Sequence, residues 1–556
     1  MKRRTSIATP LLAAVLAFAC AGPGDDALDV DQLEVQEDQS ESLANDLLAF
    51  SLAMRKADRP RFDDFWADTV SATPLPDEDP ERKKVADRAH KGAWSFGEMA
   101  EFSRDDYIDE LWSLVERYES LEDVRFKVKK VDFTEDGLHA KAKIKFFFVG
   151  KHDGHGREWI KGLASLGAGK TGEGKPEEDP WKIDHFELTE MNSVVTEQEW
   201  FSDVSGPAGL NEKFPEFGRG ANDGFVNHGA AAADVNADGL MDVAASGVLG
   251  NFLYLNAGDG TFTDASADSL LKFTPPGSGV AFLDYDNDGD PDLFFAAVGR
   301  QILLENRFIP DGRVRFTDVS EESGAAQSAI GFSAVVADVN NDGWQDVYVC
   351  SYNRYGTIMP DSWTEATNGT PNLLLVNQGD GTFRSVADDW GVADSRWSYA
   401  AQFIDLDDDG DQDLYVANDF GENAFYRNDG GSFTEHSAEM GIVDPGFGMG
   451  VSFGDYDNDG DFDLHVTNMS STAGKRILEL LYPADHPMRL SLDKQAVGNS
   501  LYANRGDGTF EDVSAAIGGL GGGWAFGGGF VDFNGDGWED LHTPNGFVSG
   551  ETMKDT

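Results

Sequence analysis

A nonapeptide of the form Asp-x-(Asp/Asn)-x-Asp-Gly-x-x-Asp occurs six times, beginning at Asp234, Asp284, Asp338, Asp405, Asp455 and Asp532. No other feature limits the fold so tightly. Each copy sets oxygen donors at alternate positions of a loop, then a glycine for a sharp turn, then a closing carboxylate, which is how a hard divalent cation is wrapped without Cys or His. The pattern predicts about six structural Ca²⁺ ions. Side chains at positions 1, 3, 5 and 9 and the backbone carbonyl at position 7 are the expected donors. In the first three loops these are Asp234, Asn236, Asp238, Leu240 and Asp242; Asp284, Asp286, Asp288, Asp290 and Asp292; and Asp338, Asn340, Asp342, Trp344 and Asp346. In the last three they are Asp405, Asp407, Asp409, Asp411 and Asp413; Asp455, Asp457, Asp459, Asp461 and Asp463; and Asp532, Asn534, Asp536, Trp538 and Asp540.

Counting decides which kind of loop this is. An EF-hand needs a bidentate Glu at position 12, where this chain has Ala245, Phe295, Val349, Val416, Val466 and Thr543. Dockerin and thrombospondin-type repeats fail the same test. The ninth residue instead leads straight into apolar pairs such as Leu293-Phe294 and Leu414-Tyr415, so each loop is expected to join two strands. A second regularity supports this. Phe262, Phe316, Phe383, Phe433 and Phe510 each stand 22 residues before the next loop, while the distance from loop to following Phe varies. A rigid unit with insertions on one side only fits four short strands per repeat, as in a propeller blade. The last unit has too few residues after Asp540 for its outer strand, and Phe201-Ser-Asp-Val-Ser205 has the form of that strand. Pairing of this segment with the last unit is one expectation; a chain continuing in another product is the other.

The stretches Phe282-Leu-Asp-Tyr-Asp-Asn-Asp-Gly-Asp-Pro-Asp-Leu293 and Phe453-Gly-Asp-Tyr-Asp-Asn-Asp-Gly-Asp-Phe-Asp-Leu464 resemble the FG-GAP/VCBS repeats of the integrin α-chain N-terminal propeller. With the Asn-x-Gly-Asp-Gly-Thr-Phe elements at Asn377–Phe383 and Asn504–Phe510, the chain is similar to bacterial relatives of the cartilage acidic protein (ASPIC/UnbV-associated) family. The resemblance covers residues 195–556 and implies an all-β, calcium-stabilised propeller, usually of seven blades, used for surface binding or adhesion. Six loops are visible here.

The amino terminus predicts export. Lys2-Arg3-Arg4, an apolar run from Leu11 to Phe18 and Ala17-Phe18-Ala19-Cys20 have the layout of a lipoprotein signal over residues 1–20, with Cys20 as the acylated residue. Cleavage after Ala21 as an ordinary signal peptide is the alternative. Localisation at a bacterial outer membrane, cell surface or periplasm follows, with the membrane reached through the lipid. Residues 21–40 are acidic and read as a tether. Residues 41–192 show helical spacing at Leu43, Leu47, Leu48 and Leu52 and at Tyr107, Leu111, Leu114 and Val115. Alternating segments at 125–132, 139–148, 159–163 and 181–188 follow, predicting a smaller α+β domain with an NTF2/SnoaL-like fold as the specific guess.

Charge and chemistry narrow the function classes. There are 44 basic residues against 100 acidic ones, for a formal charge of −56, and the six nonapeptides hold 26 carboxylates. So acidic a chain argues against a nucleic-acid partner. His152-Asp-Gly-His155 reads as a solvated loop and Gly167–Gly174 as a hairpin tip rather than a phosphate loop. His465 and His542 share one register and are expected to pack rather than bind metal. No catalytic residue stands out. Basic and aromatic residues in the two long inserts, Arg354, Tyr355, Trp363, Lys475, Arg476 and Arg489, are the candidate contacts for an unknown protein or glycan ligand. A cell-surface binding or adhesion module is the leading expectation. A polysaccharide-active enzyme and a scaffold subunit completed by a partner are the alternatives.

Overall fold

The computed structural model describes residues 30–76, 78–86, 88–152, 156–172, 179–197, 201–210, 229–247, 250–275, 277–353, 358–362, 364–469, 498–517, 523 and 525–544, with the single positions 483, 486, 489 and 495. The chain divides into two compact units, Met1–Trp200 and Phe201–Thr556. Cys20 and the signal segment lie outside the described residues, as do Arg354, Tyr355, Trp363, Lys475 and Arg476.

The first unit opens with helix α1, Val30–Arg55, so residues 30–40 of the expected tether are helical. Its buried face is Leu43, Leu47, Phe50 and Met54; Leu48 and Leu52 lie beside that stripe. A short helix α2 (Arg59–Asp63) leads into strands β1 (Trp66–Ala72), β2 (Arg82–Ala86), β3 (Ala89–Ala93) and β4 (Ala100–Ser103). These four strands precede the helix α3 (Arg104–Glu116), whereas the sequence reading placed all strands after the helices. They are short, and each lies on an edge or beside one, where burial is too patchy to leave a period-2 signal. Ser103 caps α3 by accepting the Asp106 N–H at 3.2 Å. The long strands β5 (Ser120–Phe133), β6 (His139–Lys151), β7 (Arg157–Gly169) and β8 (Lys182–Thr196) then form an antiparallel meander, completing an eight-stranded sheet. In β6, Ala140, Ala142, Ile144, Phe146 and Phe148 point inward and Lys141, Lys143 and Lys145 outward, the period of a half-buried strand. The inward set packs with Phe50, Phe62, Trp66, Tyr107 and Phe186 into one core. That core is tight, leaving about 20 Å³ between its apolar side chains, the space of roughly one water.

The second unit is a series of similar antiparallel sheets. The first is β9 (Gly229–Ala233), β10 (Asp242–Gly247), β11 (Gly250–Asn256) and β12 (Phe262–Asp264). The second is β13 (Val280–Leu283), β14 (Asp292–Phe295), β16 (Ile302–Asn306) and β17 (Phe316–Asp318). The third holds β18 (Ser328–Ala337), β19 (Asp346–Ser351), β20 (Leu373–Asn377) and β21 (Phe383–Ser385), with β15 (Val298–Arg300) added at its edge. The fourth is β22 (Trp397–Ile404), β23 (Asp413–Phe420), β24 (Ala424–Asn428) and β25 (Phe433–Glu435). The fifth is β26 (Gly448–Gly454), β27 (Asp463–Asn468), β28 (Ser500–Asn504) and β29 (Phe510–Asp512). The sixth has two strands among the described residues, β30 (Gly529–Val531) and β31 (Asp540–His542). Every acidic loop joins the first strand of its sheet to the second, and its ninth residue begins that second strand.

Successive first strands touch: β9 meets β13, β13 meets β18, β18 meets β22, β22 meets β26 and β26 meets β30. Ala230, Val280, Ala334, Ala400 and Met449, one from each of the first five of these strands, and Phe526, just before the sixth, line a common cavity of about 240 Å³. Neighbouring sheets are also joined at the third strand. The amide of Asn306 donates to the Val235 carbonyl (3.0 Å), that of Asn377 to Tyr285 (2.7 Å) and that of Asn428 to Val339 (2.8 Å), each time reaching back to the second residue of the preceding loop.

Phe201–Ser205 does not pair as a strand with the sixth sheet. It forms no ladder; the Phe201 ring instead packs on Phe533 at 5.1 Å and lies 6.4 Å from the His542 ring. The segment nevertheless copies the outer strand of the other sheets. Asp203 accepts the Ser205 N–H as Asp264, Asp318 and Asp512 accept those of Ser266, Ser320 and Ser514. Ala208 accepts the Phe262 N–H at 2.8 Å, as Ser269 accepts that of Phe316 and Ser323 that of Phe383.

Buried carbonyls left without donors cost about 1–3 kcal/mol each. Asn428→Ala, which strips Val339 and Gln412 of their donor, is therefore expected to destabilise by about 2–3 kcal/mol. Asn256→Ala, whose exposed amide reaches Met241 of its own repeat's loop and no neighbouring sheet among the described residues, is expected to cost less than half of that. Urea unfolding of the two variants checks the difference.

Candidate functional site

The acidic loops are built by their own side chains. At position 1, one carboxylate oxygen accepts the N–H of position 5 and the other that of position 6, as Asp234 does from Asp238 (3.0 Å) and Gly239 (2.8 Å). Position 5 accepts from position 7, as Asp342 does from Trp344 at 3.0 Å. Position 4 turns through the left-handed region in five loops: Ala237, Asn287, Asn341, Asp408 and Asn458 have φ of 55° to 57°, a conformation Asn and Asp tolerate better than other side chains. Three of these residues also join loop to loop. Asn287 donates to the Gly343 carbonyl (3.1 Å), Asn341 to Gly410 (3.1 Å) and Asn458 to Gly537 (3.0 Å). Ala237 and Asp408 lack the donor.

The ninth residue ties the loop to the sheet. Asp292 accepts the Tyr285 N–H at 3.1 Å with one oxygen and the Asn306 N–H at 2.7 Å with the other, so a single carboxylate holds the loop and the third strand. Asp242, Asp346, Asp413 and Asp463 repeat both bonds, with Asn256, Asn377, Asn428 and Asn504 as the strand partners. Asp540 breaks the pattern: its Oδ2 is buried without a hydrogen-bond partner among the described residues.

Carboxylates consequently converge. Single oxygens of Asp284, Asp286 and Asp292 lie within 4.8 Å of one another, as do those of Asp455, Asp457 and Asp463 and those of Asp405, Asp407 and Asp409. All donors are oxygen, the ligand set of a hard cation. Burial pushes Asp292 up to about 9, Asp346 and Asp413 to about 7 and Asp463 to about 6; the backbone N–H bonds oppose this in part, and the neighbouring loop carboxylates add to it. An unfolded Asp titrates near 3.9, so without cation the folded chain holds extra protons between that value and these. The stability due to these groups is complete below about pH 4 and is lost as pH rises through 6 to 9. In EGTA the melting temperature is expected to fall by ~5 °C or more between pH 5 and pH 8, and excess Ca²⁺ is expected to abolish the fall. Scanning fluorimetry over that range measures it.

Other sequence candidates fall differently. His152 is not a free loop residue: its Nε2 lies 3.1 Å from Glu158, a fully buried carboxylate that also accepts from Arg82 (2.9 Å) and Tyr118 (2.9 Å). The acid stands six residues on, across a hairpin, so its pairing with His152 was invisible until the strands were in register. His155 is outside the described residues. Thr171 and Gly172 donate their N–H groups to Asp179, so those donors are engaged in closing a turn. His465 is buried, pushed down to about 4 by that burial, beside Phe530, while His542 is exposed near Phe533. Tyr348 and Tyr415 have packing roles, with hydroxyls on the Val392 and Ile442 carbonyls. Of the insert residues, Arg489 alone is described, and it is half-buried. Both sets of linking asparagines went unread as site residues; the available signal was, for one set, a place 14 to 31 residues after the ninth loop aspartate, with Gly-Asp-Gly-Thr-Phe following only Asn377, and for the other, loop position 4.

A family model for the FG-GAP-like repeat matches residues 234–295, 405–466 and 490–543. Cartilage acidic protein 1 of Xenopus tropicalis is 31% identical over 148 residues, 26% of this chain and 21% of that protein. The chain thus spans about a fifth of the length of this relative. Among solved structures, an Agrocybe aegerita lectin described for specific recognition of non-reducing terminal N-acetylglucosamine is 17% identical at a TM-score of 0.32, covering 57% of this chain and 74% of that one. A putative scytalone dehydratase from Novosphingobium aromaticivorans is 10% identical at a TM-score of 0.22, covering 31% of this chain and 99% of that one. At such scores neither likeness decides the fold of either unit. The repeat match agrees with the loops, strands and spacings described above, and the chain carries FG-GAP-like repeats.

Proposed function

We propose that the second unit is a Ca²⁺-stabilised β-propeller with seven blade positions, serving as an exported, lipid-anchored binding or adhesion module. The observation that carries this reading is the convergence of three loop carboxylates in each of the second, fourth and fifth repeats, within a series of sheets whose first strands touch in turn around one cavity. Side-chain oxygens at positions 1, 3, 5 and 9 with the position 7 carbonyl give the many-oxygen, adaptable shell that Ca²⁺ takes. Without it, several like charges per loop repel at close range.

Contacts at the Phe201 segment support seven positions. In the other sheets the second residue of a loop packs with the outer Phe of the next sheet, as Tyr285 does with Phe383 at 6.4 Å. Phe533, the second residue of the sixth loop, packs in that way with Phe201. Ala208 in turn holds Phe262 of the first sheet. Phe201–Leu210 therefore takes the place of an outer strand between the sixth sheet and the first. Export and acylation at Cys20 rest on the amino-terminal pattern, and the first unit is read as an NTF2/SnoaL-like domain from its helices packed with a mostly antiparallel eight-stranded sheet. The ligand is a protein or glycan bound by loops on the propeller scaffold.

With site affinities of ~10⁻⁴ M, 1 mM Ca²⁺ contributes about 1.4 kcal/mol per site. A melting-temperature rise of at least ~10 °C over EGTA, with about six ions bound per chain by metal analysis, is the expected result for the chain from Ala21 onward. An unchanged melting temperature with one ion or none would sink the calcium propeller.

A further inference from the structure

In a chain of formal charge −56, one face of the first unit is basic. Lys127 stands directly opposite Lys145, and Lys130 opposite Lys143, across the β5–β6 ladder. Lys161 on β7 faces Phe147 across the next ladder, and Lys91 on β3 faces Val194 of β8. None of these six lysines has an ion-pair partner among the described residues. Like charges set directly opposite each other destabilise a sheet, and this sheet carries two such pairs side by side. Burial, followed by Arg125, Lys129 and Lys145, pushes Lys127 down to about 8; burial, followed by Lys145 and Lys91, also lowers Lys161. The acids on this face are few: Asp123 is engaged by Arg125, Asp132 stands opposite a further lysine, Lys141, at the end of the β5–β6 ladder, and Glu187 and Glu190 lie on β8. Apolar Leu163, 40% exposed, sits beside Lys145.

Net charge conceals such a face, but physiological salt does not. The screening length of about 8 Å is shorter than strands of 13 to 15 residues, so a surface brought against this sheet meets its lysines and little of the acidity elsewhere. We infer that this lysine-rich face docks the first unit on an anionic lipid bilayer, through phosphodiester headgroups. The choice of a bilayer rests on the proposed anchor at Cys20. Only nine residues separate Cys20 from Val30 at the start of α1, a reach of at most about 36 Å from one to the other, so the anchor would hold this unit close to the membrane. A single acyl signal binds reversibly, and a polybasic surface is the second signal that makes attachment stable.

The test uses the soluble chain from Ala21 onward, so that binding does not depend on acylation. Co-sedimentation is measured with vesicles of phosphatidylcholine alone and with phosphatidylglycerol added to about a third. Expected are preference for the anionic vesicles, loss of binding in high salt, and at least a tenfold weaker partition for K127E/K143E/K145E/K161E. A K127Q/K143Q/K145Q/K161Q variant with unchanged melting temperature serves if the reversed charges disturb folding. Equal sedimentation with both vesicles, or an unweakened variant, overturns the proposal; so does binding to a soluble sulfated polysaccharide without binding to vesicles. The mass of the mature amino terminus, measured separately on chain extracted from membranes, reports on acylation, so failure of the anchor and failure of the basic face are distinguishable.

Discussion

The closing aspartate of each of the first five acidic loops is the contact on which the second unit depends. Its two oxygens accept one backbone N–H from the loop and one from the third strand. Loop, second strand and third strand thereby become one body. The same geometry buries a carboxylate beside others, which raises the energy of its charged form. In the calcium-bound form we propose, a cation shared among the loop oxygens would offset that cost, whereas a proton does so only at lower pH. Stability and metal binding would then be one property of one residue.

Assembly of the sheets follows from a second, weaker set of contacts. The third-strand asparagines reach back to the preceding loop, and the position 4 asparagines reach forward to the following one. Each needs a donor, which is why Ala237 and Asp408 cannot take part. Repeat architectures are stabilised mainly between nearest neighbours, so the place where these links change is where the series is least regular. That place is the sixth sheet, with two described strands, the orphaned Asp540 oxygen and Phe201 packed on Phe533.

The first unit follows other rules. Its core is a dense apolar cluster, and the most deeply buried acid among its described residues, Glu158, is paired with Arg82 and supported by Tyr118 and His152. Its outer face differs: Lys127, Lys130, Lys143, Lys145 and Lys161 of β5, β6 and β7 lie together there with no ion-pair partner among the described residues. A total charge cannot express such a division, because it sums over surfaces that screening keeps independent.

Much of the second unit was legible in the chain. The six loops, their strand-to-strand character and the fixed spacing to the outer Phe are local properties, since each loop is closed by hydrogen bonds within nine residues. Helix α3 was equally readable from Tyr107, Leu111, Leu114 and Val115. For α1 the spacing found Leu43 and Leu47, but Phe50 and Met54 complete the buried face, because the sheet it meets decides which stripe is covered. Strands β1 to β4 left little trace, being short and unevenly buried. The sequence by itself determined the oxygen-ligand loops, the repeat unit and the acidity, all of which arise within a few residues. Only the tertiary structure decided the partner of His152, the place of Phe201 between the sixth and first sheets, the asparagine links and the gathering of lysines on one face. His152 meets Glu158 only across a formed hairpin and the other contacts join residues far apart in the chain, so their energy exists only once strand register and sheet order bring the side chains together.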